Sequence, residues 1–476
     1  MALPSATRTA AAISGHLRGA PWLDETGRAA HRFDLVDHIE LEPGTGTAIA
    51  LVAPDTDPDR WYAVPLDGSG GPREGGPAFD ALVVAVLREN RRITTARGGV
   101  LEFHGDPPAF EGPLPFDGGY STNALSLVRL GGHPHVHKRY RVLPPDGHEP
   151  AALRRSRGGD CLPEYAGHYA YVSPAGQRRP VGLLYRLVEG RPLEDLLRTN
   201  LRTLWTEVDT EAAVRRHVDR IGPVLTEVGA LVGRLHRSLA TPAAVAYRGD
   251  LTTPLENVTA LLLADERHPA AVRAELARRL AAAVPATRPP IAAGIAHGDL
   301  HLSHLLYRST PDGWTVRAID PSPAAMDPAD PAYAYQTPGQ DLVAVQRSLE
   351  SFAAHEAAVE TGRLLGVHRR EVCRAAVGDL LPGSAVDPVR AQVFATGRQW
   401  TRIVVEHILA GYRTPEPLAE RGRPQARSAH TRAAEPNEAW WRALYLQRML
   451  HELAYNYAHR RHYQVDVDLR HAGGLR

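Results

Sequence analysis

The chain opens with alternating hydrophobic and polar positions. "HIELEPGTGTAIALVAP" (38–54) and "WYAVPLD" (61–67) set β-branched and aromatic side chains between Gly- and Pro-containing breaks, which predicts strands joined by turns. In "AFDALVVAVLREN" (78–90) the period lengthens: Phe79, Leu82, Val83, Val86 and Leu87 share one helical face. "GVLEFHG" (99–105) predicts a closing strand, and "DPPAFEGPLPFDGG" (106–119), broken by Pro and Gly, predicts a linker.

A second α+β stretch follows. "ALSLVRL" (124–130) and "HVHKRYRV" (135–142) predict two strands around the turn "GGHP", and "YAYVSPAGQRRPVGLLYRLVEG" (169–190) predicts another hairpin. Beyond residue 191 the pattern is helical. "AAVRRHVDRIGPVLTEVGALVGRLHRSLA" (212–240) and "PAAVRAELARRLAAAV" (269–284) are rich in the helix formers Ala, Leu and Arg. "RTPEPLAERGRPQARSAHTRAAEPNE" (413–438) is polar and predicts a surface loop. The organisation expected from these shifts is 1–115, 116–190 and 191–476.

Composition narrows the classes. With 55 Lys and Arg against 54 Asp and Glu, the net charge of +1 gives no electrostatic case for nucleic acid or a membrane surface. Charged residues at 23% and apolar ones at 43% suit a soluble globular protein. Cys161 and Cys373 lie far apart, arguing for a reducing compartment and against a disulfide framework. The N-terminal "MALPSATRTAAAIS" lacks a signal-peptide apolar core, and no apolar run approaches the ~18 residues of a membrane span, so a cytoplasmic location is expected. One lysine stands out: Lys138 is the only one in the chain.

The segment richest in chemistry is "IAHGDLHLSHLLYRSTPDGWTVRAIDPSP" (295–323). A polar loop is followed by "LLY", the turn "PDG", "WTVRAI" and Asp320, so a hairpin brings Asp299 and Asp320 to one end of two adjacent strands. Two carboxylates held close can divide labour, one orienting a hydroxyl and accepting its proton, the other holding a metal against phosphates. His297, His301 and His304 within eight positions also admit a transition-metal site.

"HGDLHLSH…AIDP" resembles the catalytic loop of aminoglycoside phosphotransferase-like kinases, commonly HGDLHxxN followed by IDxx, and the layout resembles that of the maltokinases and glucosamine kinases within that group. "GGYSTNALSLV" resembles their phosphate-loop strand. "DLVAVQRSLESF" (341–352) and "LQRMLHELAYNYAHRRH" (446–462) resemble two of their helices. The resemblance implies an α+β, bilobal protein-kinase-like fold: an N-terminal α+β cap subdomain, a small lobe with its hinge, and a large, mostly helical C-terminal lobe.

It also implies roles. Asp299 would orient the attacking hydroxyl and Asp320 would bind Mg²⁺. His304 stands where the family usually has an Asn or Gln metal ligand, and an imidazole is a poorer ligand for hard Mg²⁺. Lys138 would pair with ATP phosphates and with a carboxylate, Glu149 or Glu164. Ser121, Thr122 and Asn123 would donate to phosphate or form a plain turn, and Leu187 and Val188 at the hinge would meet adenine. His301, Glu452, Tyr455, Asn456 and Trp441 are the candidates for substrate binding, with Trp440 and Trp441 either stacking on a sugar or packing. Leu446, Leu450, Leu453 and Tyr457 should face the core.

The expected reaction is ATP- and Mg²⁺-dependent phosphorylation of a sugar or aminosugar hydroxyl by a monomer or homodimer. An aminoglycoside or aminocyclitol acceptor is one alternative, and a nucleotide-binding pseudokinase module is another. The acidic "MDPADP" (326–331) either receives a cationic substrate or is a solvated loop.

Overall fold

The computed structural model describes residues 6–116, 121–145, 147–156, 160–205, 211–240, 245–247, 251–286, 291–311, 313–322, 337–381, 383–414 and 438–475. "MDPADP" and nearly all of 413–438 lie outside these residues. The chain divides into two compact units: Met1–Gly159 with Pro163–Leu187, and Asp160–Leu162 with Val188–Arg476.

The first unit starts with helices α1 (Ala6–Arg18) and α2 (Glu25–Ala29) beside an antiparallel sheet β1-β2-β3 (Phe33–Glu40, Ala48–Pro54, Tyr62–Leu66). Ile13, Leu17, Leu23, Phe33, Val52 and Tyr62 close this core. Asp24 caps α2 through the Gly27 N–H (2.8 Å) and accepts the Tyr62 hydroxyl at 2.6 Å, tying helix to sheet.

Next come α3 (Pro77–Arg88) and a seven-stranded antiparallel sheet in the order β4-β5-β9-β10-β8-β7-β6. Its strands are β4 (Arg92–Thr94), β5 (Val100–Gly105), β6 (Phe110–Leu114), β7 (Ala124–Leu130), β8 (His133–Arg139), β9 (Tyr165–Val172) and β10 (Arg178–Arg186). The predicted helical face is the one α3 buries, through Phe79, Val83, Val86 and Leu87. Gly131 and Gly132, with φ of 53° and 78°, make the two-residue β7–β8 turn, where both central positions need left-handed backbone. Helix α4 (His148–Arg155) follows β8.

The expected linker differs. Residues 110–114 pair with β7 as the edge strand β6, where Pro113, which has no N–H to give, is tolerated. Because β4 and β5 share the sheet with β7–β10, no compact-unit boundary falls at residue 115.

The second unit is mainly helical. Its helices are α5 (Leu193–Leu204), α6 (Glu211–Asp219), α7 (Gly222–Leu239), α8 (Thr252–Ala264), α9 (Ala270–Ala282), α10 (Pro338–Leu365), α11 (Arg369–Gly378), α12 (Pro388–Arg413), α13 (Glu438–Ala458) and α14 (His462–Ala472). A short sheet joins β11 (Arg191–Pro192), β14 (Leu305–Thr310) and β15 (Gly313–Ala318), and β12 (Val245–Tyr247) pairs with β13 (Ile291–Ala293).

The helix-forming stretch 212–240 makes two helices, because Gly222-Pro223 restarts the helix where a proline's missing N–H costs nothing. Helices α7 and α12 cross at backbone contact: a Cβ on Gly229 would sit 1.9 Å from the Ile408 carbonyl oxygen, and one on Gly411 2.0 Å from that of Thr226. Leu446, Met449, Leu450 and Leu453 of α13 pack with Val258 and Leu262 of α8, Leu276 and Leu280 of α9, and Val465 and Leu469 of α14. No described helix is long and apolar enough to cross a membrane.

Helix α10 is the backbone of this unit. Pro338 opens it, the Gln340 side chain accepts the Thr337 N–H at 2.6 Å, and Gly366 ends it at φ 68°. It carries a buried aspartate and a buried arginine, Asp341 and Arg347, toward the loop and helix that form the candidate site.

Candidate active site

The hairpin β14–β15 pairs Leu305 with Ala318, so residues 297–304 lead into one end and Ile319–Asp320 leave from that same end. Backbone bonds lock the two segments together. Ile319 N–H donates to the His304 carbonyl and Ser322 N–H to that of His297, both at 2.9 Å. Asp320 lies between these ties at φ 60°, a left-handed conformation that Asp tolerates better than most residues and that costs of order 1 kcal/mol. The hairpin therefore holds Asp320 in a conformation it would not choose alone.

The loop is fixed from below by α10. Asp341 is fully buried. Its Oδ1 accepts the Gly298 N–H at 2.7 Å, its Oδ2 accepts the His297 N–H at 2.8 Å, and His236 Nε2 from α7 meets Oδ2 at 2.9 Å. Burial pushes the Asp341 carboxyl up, but the His236 contact and the loop N–H groups more than offset it, so it sits below the usual carboxylate range. His297 donates from Nε2 to the Ile319 carbonyl at 2.9 Å; burial lowers its pKa to about 4, so it is neutral. Leu302 N–H bonds Ser348 Oγ at 3.0 Å, a second anchor on α10.

Asp299 is the loop's half-buried carboxylate. Arg448 of α13 donates from Nη2 to its Oδ1 at 2.9 Å. Its Oδ2 lies 3.6 Å from His301 Nε2. Burial raises the Asp299 pKa, yet Arg448, His301 and His304 bring it below its ordinary value. His301 is pushed down to about 4, by burial first and then by neighbouring His304, so it is a neutral imidazole. His304 donates from Nδ1 to the Asp299 carbonyl at 2.9 Å, and its Nε2 lies 3.7 Å from Asp320 Oδ2. One imidazole thus spans the two aspartates.

Arg448 is held in turn. Its Nε bonds Glu452 Oε1 at 2.7 Å, and Glu452 Oε2 accepts Arg347 Nε and Nη2 at 3.1 and 3.0 Å. Arg347, fully buried, also reaches Asp468 (2.8 Å) and Glu350 (3.0 Å). Burial pushes the Asp468 carboxyl up against Arg347, while Glu452 is kept below its ordinary value by its two arginines despite burial.

This network engages part of the expected substrate-binding set. Both oxygens of Glu452 are engaged by Arg347 and Arg448. Asn456, only 9% exposed, donates inward to Asp468 at 2.9 Å, because α13 buries this face against α14. Tyr455 is exposed, its ring beside His459 and beneath Arg461. Trp441 gives its indole N–H to Gln346 at 3.1 Å and packs on the α13 core, and Trp440 is buried in it. Leu446, Leu450 and Leu453 are buried and Tyr457 packs against them. Arg448, Arg347 and Asp341 were given no role from sequence; the available signals were the resemblance of "DLVAVQRSLESF", which contains Asp341 and Arg347, and the i, i+4 spacing of Arg448 and Glu452.

A cation fits this corner unevenly. Asp320 offers Mg²⁺ an oxygen ligand of the right kind, whereas His304 offers nitrogen, which hard Mg²⁺ disfavours.

The nucleotide candidates lie in the first unit. Lys138 is central in the sheet, paired with Leu125 of β7 and Leu183 of β10, and is 4% exposed. Its Nζ meets Glu149 Oε2 of α4 at 2.7 Å, and the Tyr140 hydroxyl donates to that oxygen at 2.6 Å. Glu164 faces Arg186 instead, at 3.4 Å. Ser121 Oγ accepts the Asn123 N–H at 3.1 Å, closing a local turn, and Thr122 is exposed. Leu187 N–H bonds the Pro134 carbonyl at 3.0 Å; Val188, just past the division between units, is buried.

Residues 137–329 match the model of the phosphotransferase enzyme family. The matched segment belongs to that family. It begins one residue before Lys138 and runs past Asp320, so it holds Lys138, Glu149, Asp299, His304 and Asp320. A glucosamine kinase solved in complex with glucosamine, ADP and inorganic phosphate is similar over 100% of both chains, with a TM-score of 0.57 and 19% identity. A glucosamine kinase in crystal form A gives 0.53 at 18% identity over 100% of this chain and 99% of that one, and crystal form B 0.52 at 20% over 96% and 97%. These likenesses establish the protein-kinase-like fold of the phosphotransferases over essentially the whole chain. No curated protein sequence matches it.

Proposed function

We propose that the protein transfers the γ-phosphate of ATP to a hydroxyl of an aminosugar or sugar. The observation that carries this reading is the pair Asp299 and Asp320 at one end of the β14–β15 hairpin, with His304 bonded to the Asp299 carbonyl at 2.9 Å and 3.7 Å from Asp320 Oδ2. Asp299, ionised at neutral pH, orients the acceptor hydroxyl and takes up its proton as the O–P bond forms. Mg²⁺, held by Asp320 together with phosphate oxygens, would supply charge neutralisation. Lys138, paired with Glu149, is proposed to steady the remaining phosphates, with Ser121–Asn123 and the Leu187–Val188 backbone as further nucleotide contacts. Positioning and electrostatics do the work without a covalent intermediate.

Two features support an amino group on the acceptor. Asp299 shares Arg448 with Glu452, so the charge of the loop carboxylate is only partly offset. The fold is shared end to end with a kinase whose structure contains glucosamine. An aminoglycoside or aminocyclitol meets the same requirement. A nucleotide-binding module without transfer is the second reading, favoured by one observation, the pairing of Asp299 with Arg448.

A phosphorylation screen over sugars, aminosugars and aminoglycosides, with product regiochemistry by NMR, decides. Phosphorylation confined to amino-bearing acceptors supports the first reading. Nucleotide binding with no acceptor phosphorylated supports the second.

A further inference from the structure

We propose that Asp299, His301 and His304 form a binding site for a borderline divalent cation of the Zn²⁺ type, and that a cation bound there blocks the catalytic loop. Asp299, His301 and His304 each offer a ligand atom, and these atoms lie within 4.8 Å of one another. The observed separations are close to what a small tetrahedral ion requires. At Zn–N and Zn–O distances of about 2.0–2.1 Å, neighbouring ligand atoms stand ~3.3 Å apart. Here His301 Nε2 is 3.6 Å from Asp299 Oδ2, and a set of three protein ligands leaves the fourth position to water. The two imidazole rings are 3.6 Å apart between centroids, with their planes 33° from parallel.

An independent observation points to a ligand. In both histidines Nδ1 is already engaged: His304 Nδ1 with the Asp299 carbonyl at 2.9 Å, His301 Nδ1 with Ser303 Oγ at 2.8 Å. The Asp299 carbonyl can only accept, so His304 donates from Nδ1 and its Nε2 carries a lone pair, the way metal-bound histidines are held. Arg448 does not bar the ion. It takes only Oδ1 of Asp299, and its charge is shared with Glu452. A set of two nitrogens and one carboxylate selects Zn²⁺ or Co²⁺ over Mg²⁺. A cation on Oδ2 would hold Asp299 away from an acceptor hydroxyl, so occupation and phosphoryl transfer exclude each other.

The cation site stands on these side chains alone, independent of the phosphotransferase reading. The test is a Co²⁺ titration of the full-length protein, without nucleotide or acceptor, following visible absorption, then competition with Zn²⁺ and with Mg²⁺. The expected result is one equivalent of Co²⁺ with the intense spectrum of a tetrahedral site, displaced by Zn²⁺ but not by a 100-fold excess of Mg²⁺. His301→Asn and His304→Asn should each weaken binding about 100-fold or more, since even outer-shell changes cost about 10- to 100-fold. Far-UV circular dichroism checks that both variants are folded. Absence of a tetrahedral spectrum, equal binding by the folded variants, or displacement by comparable Mg²⁺ would overturn the site. In an enzyme that turns over with Mg²⁺, an unchanged rate at saturating Zn²⁺ would overturn the blocking role alone.

Discussion

Arg448 Nη2 lies 2.9 Å from Asp299 Oδ1, while the Nε of the same guanidinium lies 2.7 Å from Glu452 Oε1. One arginine therefore joins the reactive loop to the C-terminal helix, and it opposes the upward push of burial on Asp299. Replacing it with an uncharged side chain removes the main group that holds Asp299 ionised. Arg448→Met is expected to move the acid limb of the kcat/KM profile to higher pH, because the Asp299 pKa rises. Arg448→Lys, which keeps charge without the planar fork, should move it less. An acid limb unchanged in Arg448→Met contradicts this role.

Asp341 is expected to be structural. Asp341→Ala leaves two loop N–H groups and His236 without their shared acceptor, and breaking such a buried charged contact costs about 3 kcal/mol. The folded-state carboxyl is held below its ordinary value, so its contribution is fully present above the unfolded pKa and is lost as pH falls through the depressed one. Urea unfolding at several pH values checks both statements. The wild type should lose stability in acid more steeply than Asp341→Ala, and parallel curves would contradict the assignment.

Lys138 and Glu149 make a buried pair at 2.7 Å in a fully packed sheet. Lys138→Met removes the ammonium from the buried Glu149 carboxyl, at an expected cost of about 3 kcal/mol in thermal or chemical unfolding. Lys138→Arg keeps the charge but must fit a planar fork where an ammonium sat. It should raise the KM for ATP with less loss of stability than Lys138→Met. Unchanged ATP kinetics in Lys138→Arg would make the lysine incidental to the nucleotide.

The α7–α12 crossing admits no side chain at Gly411, where a Cβ would meet the Thr226 carbonyl oxygen at 2.0 Å. Gly411→Ala should force the helices apart and destabilise by about 1–3 kcal/mol. Denaturant midpoints measure it, and an unchanged midpoint would show that the crossing relaxes freely.

Local patterns carried much of this account. The period of Phe79, Val83 and Val86, the Gly-Gly turn before Lys138 and the hairpin between Asp299 and Asp320 each depend on near neighbours in sequence, so periodicity and turn chemistry reveal them. The resemblance of "HGDLHLSH…AIDP" then named the family of the matched segment. What stayed hidden depends on distant partners. Asp341 meets His297 from 44 positions away and Arg448 meets Asp299 from 149, and no spacing rule encodes such contacts. Asn456 and Glu452 have the composition of a substrate face, but the burial of Arg347 turned them inward, since a fully buried guanidinium must be surrounded by acceptors. The strand at 110–114 was hidden by Gly112 and Pro113, and an edge position permits the proline.

The central claim is that Asp299 handles the acceptor's proton. The direct measurement is ATP-dependent phosphorylation of the best acceptor by wild type and by Asp299→Asn, with folding of both checked by circular dichroism. The account predicts a rate lower by at least about 100-fold in Asp299→Asn, the lower end of what a positioned general base supplies, with ATP binding retained. A folded Asp299→Asn variant that transfers phosphate at a rate close to wild type would contradict it.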